Sequence, residues 1–179
     1  MRIIGGNLRG KAILPPMNYQ ARPTTDFAKE GLFNTLNNEF CFNELSVLDL
    51  FSGTGSISFE FASRGCTDII SIEMNPLHTR FIKKCMNEFG IKGMQVTRYN
   101  AFDFIDICTK RFDIIFADPP YKLEGIDTIP ERVFEKKLLK EGGYLILEHS
   151  GEYNFENQPY FIKKKKYGNV HFSYFGFSE

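Results

Sequence analysis

Five short apolar runs, separated by segments of helical pattern, occupy the middle of the chain between Val47 and Glu148. The runs are VLDLF, DIISIE, MQVTRY, FDIIFA and YLILE, and each is five or six residues long. Strands that alternate with helices form a parallel sheet, which is covered on both faces and joined by right-handed crossovers. Ligands of such sheets bind at the carboxyl ends of the strands. The polar residues that follow each run are therefore the candidate functional residues.

The start of the chain has a different pattern. Apolar residues flank the segment GGNLRG, which predicts a hairpin, and Asp26 is predicted to cap a helix over residues 27–37. The length fits one domain. We therefore expect a single domain over 1–179, with an N-terminal hairpin and helix extension over 1–42 and a core that carries the site over 43–179.

The far end of the chain also departs from the alternation. A helix over residues 130–139 is expected to end at Gly142-Gly143, before the run YLILE. The segments YFIKKKK, YGN and VHFSYF then predict an antiparallel hairpin.

Two classes of protein are disfavoured by composition. No apolar run approaches the roughly 18 residues needed to cross a bilayer, and MRIIGGNLRG lacks the apolar core of a signal peptide. We therefore expect a cytoplasmic protein with no membrane partner. The four cysteines are widely spaced with no CxxC pair, and the three histidines are isolated, so no metal site is predicted.

Charge is unevenly distributed, although the chain as a whole has 22 basic and 22 acidic residues. Residues 1–29 hold five basic groups and one acid. This basic segment predicts contact with an anionic polymer, with Arg2, Arg9, Lys11 and Arg22 as candidate nucleic-acid-binding residues. The lysine run at 163–166 could make a second contact, or it could be an ordinary solvated surface.

A glycine-containing turn follows the first run. Gly53 and Gly55 allow the backbone to turn tightly and to approach a ligand at the start of the next helix. A dinucleotide fingerprint would have a third glycine at position 58, where Ser58 stands, which argues against a pyrophosphate ligand. The glycines could also serve the turn alone.

Acidic and amide residues at the next strand ends extend this candidate site. Glu73 lies 18 residues after Gly55, where a carboxylate can bind both hydroxyls of a ribose. Asp49 would repel a pyrophosphate but attract an ammonium group. An adenosine that carries a cationic amino acid and no phosphate is S-adenosylmethionine. Asn100 and the Ala101 N–H could bind its adenine, or they could be turn residues.

The fourth run ends in the segment DPPY. Asp118 and the carbonyl of Pro119 are two acceptors side by side, and Pro120 stiffens the loop. Two adjacent acceptors suit the two hydrogens of an NH₂ group. Tyr121 offers a flat face on which an unpaired base can stack. This segment is predicted to bind the exocyclic amine of a nucleobase.

The motif order DLFSGTGS, IEMN and DPPY resembles that of amino-directed S-adenosylmethionine methyltransferases. With MRIIGGNLRG, ARPTTDFAKEGLFNTL and KKKKYGNVHFSYF, the likeness covers nearly the whole chain and is to the bacterial RsmD family. That family methylates the N2 amine of one guanine in small-subunit (16S) ribosomal RNA. The resemblance implies the Rossmann-like α/β fold of class I methyltransferases, a mostly parallel seven-stranded sheet with helices on both faces and a C-terminal antiparallel hairpin.

The resemblance also implies a role for each site residue. The methionine side of the cofactor would be lined by Asp49, Phe51, Gly53 and Gly55, the ribose by Glu73, the adenine by Met74 and Asn100, and the target base by Asp118, Pro119, Pro120 and Tyr121. Arg22 and Thr24 belong to an N-terminal segment that helps to hold cofactor and substrate. Many relatives have Asp where Asn100 stands, but Asn keeps the acceptor oxygen, so we expect cofactor binding to persist. The implied partner is 16S ribosomal RNA in an assembling small subunit.

Two alternatives remain open from the residues alone. An adenine-N6 methyltransferase acting on DNA or RNA would use the same DPPY segment, but the chain has almost no room for a separate target-recognition domain. A catalytically silent S-adenosylmethionine-binding partner would not need an intact DPPY. The residues themselves do not decide between guanine and adenine.

Overall fold

The computed structural model of the protein describes residues 1–15 and 24–177 and contains one seven-stranded sheet. The strands are β1 (Ser46–Asp49), β2 (Asp68–Ile72), β3 (Met94–Thr97), β4 (Phe112–Ala117), β5 (Leu139–His149), β6 (Phe161–Tyr167) and β7 (Val170–Phe175). They lie in the order β3-β2-β1-β4-β5-β7-β6. Strands β1 to β5 pair in parallel, and β7 pairs antiparallel with both β5 and β6. The predicted fold class, including the C-terminal hairpin, is confirmed.

Helices cover both faces of the sheet. They are α1 (Asp26–Asn37), α2 (Ser56–Ser63), α3 (Pro76–Phe89), α4 (Ala101–Ile107) and α5 (Ile129–Glu135). Successive residues of a strand point to opposite faces, so Val47 packs in one core cluster with α1, α2 and α3, and Leu48 packs in another with α4 and α5. No helix in the described ranges is long and apolar enough to cross a membrane.

The N-terminal hairpin lies along α2. Its strands are joined by a bridge between Arg2 and Ala12. The Ile4 N–H donates to Glu60 Oε1 at 2.6 Å, and the Leu8 N–H donates to Ser63 Oγ at 2.9 Å. The hairpin therefore covers the middle and the C-terminal end of α2.

A buried lysine connects this hairpin to two helices. The fully buried Nζ of Lys29, on α1, donates to the carbonyl of Arg2 at 2.5 Å and lies 3.5 Å from Glu60 Oε1. Arg64 lies 3.5 Å from the other oxygen of Glu60. Buried charges are tolerated when they are paired and hydrogen-bonded, so this group attaches the extension to the core.

Two local predictions were wrong. Thr25, not Asp26, is the N-cap of α1, because its side chain accepts from the Ala28 N–H and Asp26 is already helical. The segment Gly142-Gly143 lies inside β5 and does not end a helix, since α5 ends at Glu135. The pairing of β4 with β5 shifts register there, and Gly142 has a φ of 74°, so the glycines form an irregularity of the strand.

Candidate active site

A cavity of about 490 Å³ opens at the carboxyl ends of the central strands. This volume lies within the roughly 300–1,000 Å³ that is usual for small-molecule sites. Most residues predicted to bind the cofactor line it, namely Thr24, Asp49, Phe51, Gly53, Glu73, Met74, Asn100 and Ala101, as do all four residues of the segment DPPY, Asp118 to Tyr121. Gly55 lies outside the lining, and Arg22 lies outside the described residues. The structure therefore brings together two groups of residues that are far apart in sequence.

The turn after β1 depends on glycine at two positions. Gly53 and Gly55 have φ values of 54° and 78°, in the left-handed region that favours glycine. Gly55 is the N-cap of α2, and a Cβ there would lie 3.0 Å from the ring of Phe59. Any larger residue at Gly55 would be strained and would also crowd the core.

Glu73 is held by two backbone groups. Its Oε2 accepts from the Gly53 N–H at 2.8 Å, and its Oε1 accepts from the Asn75 N–H at 2.7 Å. An ionised carboxylate has about four acceptor positions. The remaining positions suit a pair of hydroxyl groups, and the two backbone bonds fix the orientation of the carboxylate.

Asp49 lies almost completely buried at the end of β1, with 1% of its surface exposed. Its Oδ2 accepts from Ser58 Oγ at 2.6 Å, and Ser58 in turn contacts Ser71 Oγ at 2.7 Å. Burial raises the pKa of Asp49 to about 7. A cation beside a buried carboxylate favours the charged form, so this position suits an ammonium group. Ser58, which stands where a dinucleotide-binding sequence would have its third glycine, is thus a hydrogen-bond partner of Asp49.

The start of α2 offers a position for an anion. Ser56 Oγ is buried, lines the cavity and has no hydrogen-bond partner within the described part of the chain. Free N–H groups at a helix start attract carboxylates and phosphates. S-adenosylmethionine fits these three positions. Ser56 could bind its carboxylate, Asp49 its ammonium group and Glu73 the hydroxyls of its ribose.

The adenine end differs in detail from the expectation. Asn100 Oδ1 caps α4 by accepting from the N–H groups of Phe102 and Asp103 at 2.9 and 3.2 Å, so the oxygen expected to bind adenine already has two donors. Its role towards adenine stays a prediction. Tyr99 and Phe102 also line this end of the cavity, and sequence reasoning missed them. The signal was present, because aromatic residues flank Asn100-Ala101 in the segment YNAF.

The DPPY segment forms the other wall of the cavity. Asp118 is half-buried and Pro119 is buried, whereas 44% of the surface of Tyr121 is exposed. The Leu123 N–H donates to the carbonyl of Pro120 at 2.8 Å, and Leu123 itself lines the cavity. The loop thus turns back over the site, and part of the tyrosine side chain stays exposed.

Glu148 is a neighbour of this wall that sequence reasoning missed. Burial, together with the negative charges of Glu148 and Asp49, raises the pKa of Asp118 well above its ordinary value. Glu148 Oε2 accepts from the hydroxyl of Thr24 at 2.7 Å. The run YLILE ends in an acid, as DIISIE does. Because ligands bind at the carboxyl ends of the strands, Glu148 could have been predicted as a site residue from the sequence.

Three of the predicted nucleic-acid-binding residues, Arg2, Arg9 and Lys11, lie outside the cavity lining, and the fourth, Arg22, is not among the described residues. Arg2 forms an exposed ion pair with Asp26 at 3.0 Å. Arg9 and Lys11 are exposed on the hairpin. Arg9 directly follows Leu8, which bonds the C-terminal end of α2, and α2 begins at the cavity, so Arg9 lies at the end of that helix farther from the site. Contact with RNA at these residues stays a prediction.

The lysine run is partly structural. Lys163 donates to Glu39 Oε1 at 2.9 Å, and Lys165 donates to Thr35 Oγ1 of α1 at 3.0 Å. Lys164 is paired with Glu156. These contacts hold the hairpin against its neighbours and reduce the charge that is available to an anionic partner.

The sheet order, the glycine turn and the strand-end carboxylates are those of the class I methyltransferase fold, and curated relatives of the chain are named as ribosomal RNA methyltransferases, so the protein is an S-adenosylmethionine-dependent methyltransferase. A family model described as Conserved hypothetical protein 95 matches residues 1–176. The chain belongs to that family, and the resemblance to the RsmD family is confirmed.

Named relatives cover most of the chain. Ribosomal RNA small subunit methyltransferase D of Escherichia coli (strain K12) is 32% identical over 145 residues, which is 81% of this chain and 69% of the relative. Putative rRNA methyltransferase YlbH of Bacillus subtilis is 31% identical over 156 residues, 85% of this chain and 84% of the relative.

Solved structures agree on the fold. The hypothetical protein TTHA0928 of Thermus thermophilus superimposes with a TM-score of 0.87 at 25% identity, covering 99% of both chains. The putative methyltransferase yhhF from Escherichia coli gives a TM-score of 0.86 at 24% identity, covering 98% of this chain and 96% of the other.

Proposed function

We propose that the chain transfers a methyl group from S-adenosylmethionine to the exocyclic N2 amine of a guanine in small-subunit (16S) ribosomal RNA. The relatives named ribosomal RNA small subunit methyltransferase D support ribosomal RNA as the substrate. The observation that carries the proposal is that Asp118 to Tyr121 line the same cavity as Asp49 and Glu73. The proposed methyl-donor site and the proposed amine-accepting site therefore share one cavity.

The cofactor side needs three anchors. Asp49 would hold the ammonium group, Ser56 and the start of α2 the carboxylate, and Glu73 the ribose hydroxyls. When bound, S-adenosylmethionine supplies an electrophilic methyl group and a positive charge. Positive charge in the cavity lowers the pKa of both Asp49 and Asp118, so cofactor binding favours the ionised form of Asp118 that accepts from an amine.

The acceptor side activates a weak nucleophile. The lone pair of an exocyclic amine is delocalised into the base, and acceptance of its two hydrogens by Asp118 and the Pro119 carbonyl reduces that delocalisation. Asp118 also stabilises the positive charge that develops on the nitrogen. Stacking on Tyr121 holds the base in place, a contact worth about 1–3 kcal/mol.

Guanine suits this acceptor better than adenine does. Guanine presents N1–H and the N2 amine as adjacent donors, which one carboxylate can accept together, whereas adenine has an acceptor beside its amine. We also propose that residues 1–179 act as one methyltransferase domain, with 43–179 as the catalytic core. RNA phosphates would contact Arg9 and Lys11 of the extension, and an assembling small subunit would present the base.

One observation favours a second candidate, adenine-N6 methylation. A protein named tRNA1(Val) (adenine(37)-N6)-methyltransferase, from Mannheimia succiniciproducens, is 34% identical over 83 residues, which is 45% of this chain. The likeness covers half as much of the chain as the small-subunit relatives do, so guanine-N2 remains the leading proposal.

The experiment uses small ribosomal subunits from cells that lack this enzyme, incubated with the protein and methyl-labelled S-adenosylmethionine. The labelled nucleoside is identified by mass spectrometry after complete digestion of the RNA. The proposal predicts N2-methylguanosine in 16S RNA. Label in N6-methyladenosine would instead support the second candidate.

A further inference from the structure

Asp118 and Glu148 lie side by side at the carboxyl ends of the neighbouring strands β4 and β5. Ala117 of β4 pairs with Leu147 of β5 in parallel register, so the next residue of each chain segment is Asp118 on one side and Glu148 on the other. Glu148 is only 2% exposed. The register therefore places a buried carboxylate beside Asp118.

The acids at the strand ends share one face of the sheet. Asp49 pairs with Phe116 in the register of β1 and β4, and Phe116 pairs with Ile146 of β5. Side chains two residues apart on a strand point to the same face, which places Asp118 and Glu148 in a row with Asp49. Within the described residues, the charged groups that act on Asp118 are Asp49 from β1 and Glu148 from β5.

Thr24 connects this row to the N-terminal segment. Its hydroxyl donates to Glu148 Oε2 at 2.7 Å, across 124 positions of sequence, and 6% of its surface is exposed. Thr24 lines the cavity directly before Thr25, the N-cap of α1. The bond therefore fixes a piece of the cavity wall to the end of β5.

We propose that Glu148 is a positioning residue for methyl transfer, which holds Thr24 at the cavity wall and places a negative charge beside Asp118. The proposal rests on the function proposed above, in which ionised Asp118 accepts hydrogens of the amine. Glu148 acts through its two neighbours and needs no contact with the base.

Two substitutions separate the two parts of this role. Glu148→Gln keeps an oxygen that can accept from Thr24 but removes the charge. Thr24→Val keeps the size of the side chain but removes the hydroxyl. Glu152→Gln removes an exposed charge four residues further along and is the matched control.

The pH profile of kcat/KM for RNA methylation is the first readout. Because a like charge disfavours ionisation, the acidic limb is expected to move to lower pH in Glu148→Gln and to stay in place in Thr24→Val and Glu152→Gln. Thr24→Val is expected to lower kcat/KM about five- to tenfold, as for the loss of one buried hydrogen bond. If the acidic limb of the pH profile does not move in Glu148→Gln, the proposed effect of its charge on Asp118 is wrong. If Thr24→Val keeps the wild-type kcat/KM, the proposed role of the bond to Thr24 is wrong.

The second readout is the free energy of unfolding of the protein without RNA or cofactor, measured in urea at pH 5 and pH 8. A raised pKa in the folded state means that stability is lost as the pH rises through that pKa. The decrease in the free energy of unfolding between pH 5 and pH 8 is expected to be smaller in Glu148→Gln than in the wild type or in Glu152→Gln. An equal decrease in all three proteins would contradict the proposal. Since no substrate is involved, this result stands even if the wild-type protein fails to methylate guanine, which would overturn only the proposed function.

Discussion

The backbone N–H of Gly53 donates a 2.8 Å hydrogen bond to Glu73 Oε2, which joins the turn after β1 to the end of β2. One carboxylate thereby shapes the turn that is predicted to approach the methionine side of the cofactor, and the same carboxylate is the proposed partner of the ribose. Glycine in the turn and the acid at the strand end form a single unit of the binding site.

Replacement of Glu73 tests that unit. Glu73→Gln keeps one acceptor oxygen but loses the charge, so we expect the dissociation constant for S-adenosylmethionine to rise by at least about tenfold, equivalent to roughly 1.4 kcal/mol. Isothermal titration calorimetry measures this constant. Glu88→Gln, which alters a surface pair with Lys84 on α3, is the control and should bind as the wild type does.

Asp49 is expected to make cofactor binding dependent on pH. Its pKa of about 7 means that the group becomes ionised as the pH rises through neutrality, so affinity for the ammonium group should increase from pH 6 to pH 8. Asp49→Asn should bind more weakly at pH 8 and lose this dependence. Glu131→Gln, an exposed change on α5, should keep it. A variant Asp49→Asn with the wild-type pH dependence would show that another group is responsible.

The same residue should limit the stability of the free protein. Because the pKa of Asp49 is raised in the folded state, its contribution to stability is lost as the pH rises towards and above 7. We therefore expect Asp49→Asn to increase the free energy of unfolding at pH 8 by about 1–3 kcal/mol. Urea unfolding at pH 5 should show a smaller gain, and an equal or greater gain at pH 5 would contradict the assignment.

Lys29 is expected to be essential for attachment of the hairpin. Lys29→Met leaves the Arg2 carbonyl and part of the Glu60 carboxylate without their buried donor, at a cost of about 3–5 kcal/mol in the free energy of unfolding. Lys84→Met, which breaks an exposed ion pair, should cost less than about 1 kcal/mol. Equal effects of the two substitutions in urea unfolding would show that the buried group is not important.

Gly31 allows the C-terminal hairpin to pack on α1. A Cβ at this position would lie 2.1 Å from a ring atom of Tyr167. Alanine is the better helix former by about 1 kcal/mol, but the clash should outweigh that gain, so that Gly31→Ala is destabilised by about 1–3 kcal/mol. Tyr167→Leu should recover much of the loss in the double variant, and a destabilisation that is simply additive would argue against the contact.

Local pattern was sufficient to predict the strands and the order of the motifs. Each apolar run became a strand, and residues such as Asp49 and Glu73 line the cavity because parallel strands end at the same edge of the sheet. The irregularity at Gly142 was missed, because a pair of glycines after a helical pattern has the same sequence signal at a helix end and inside a strand.

Contacts between segments that are distant in the sequence could not be predicted from the sequence. The bond between Thr24 and Glu148 joins residues 124 positions apart, and neither residue shows its partner locally. Ser58 was seen only as a missing glycine, although it is the hydrogen-bond partner of Asp49. Asn100 was predicted to bind adenine, but its side-chain oxygen caps α4. Whether the oxygen forms this cap depends on the backbone conformation at the start of the helix, which the sequence does not show.

The role of Asp118 is tested most directly by single-turnover methyl transfer to 16S RNA with Asp118→Ala, followed as N2-methylguanosine by mass spectrometry. Loss of the amine acceptor should reduce the rate by a factor on the order of 10²–10³, while the dissociation constant for S-adenosylmethionine changes by less than about threefold. A variant that retains the wild-type rate of N2-methylguanosine formation would contradict the account of the acceptor site.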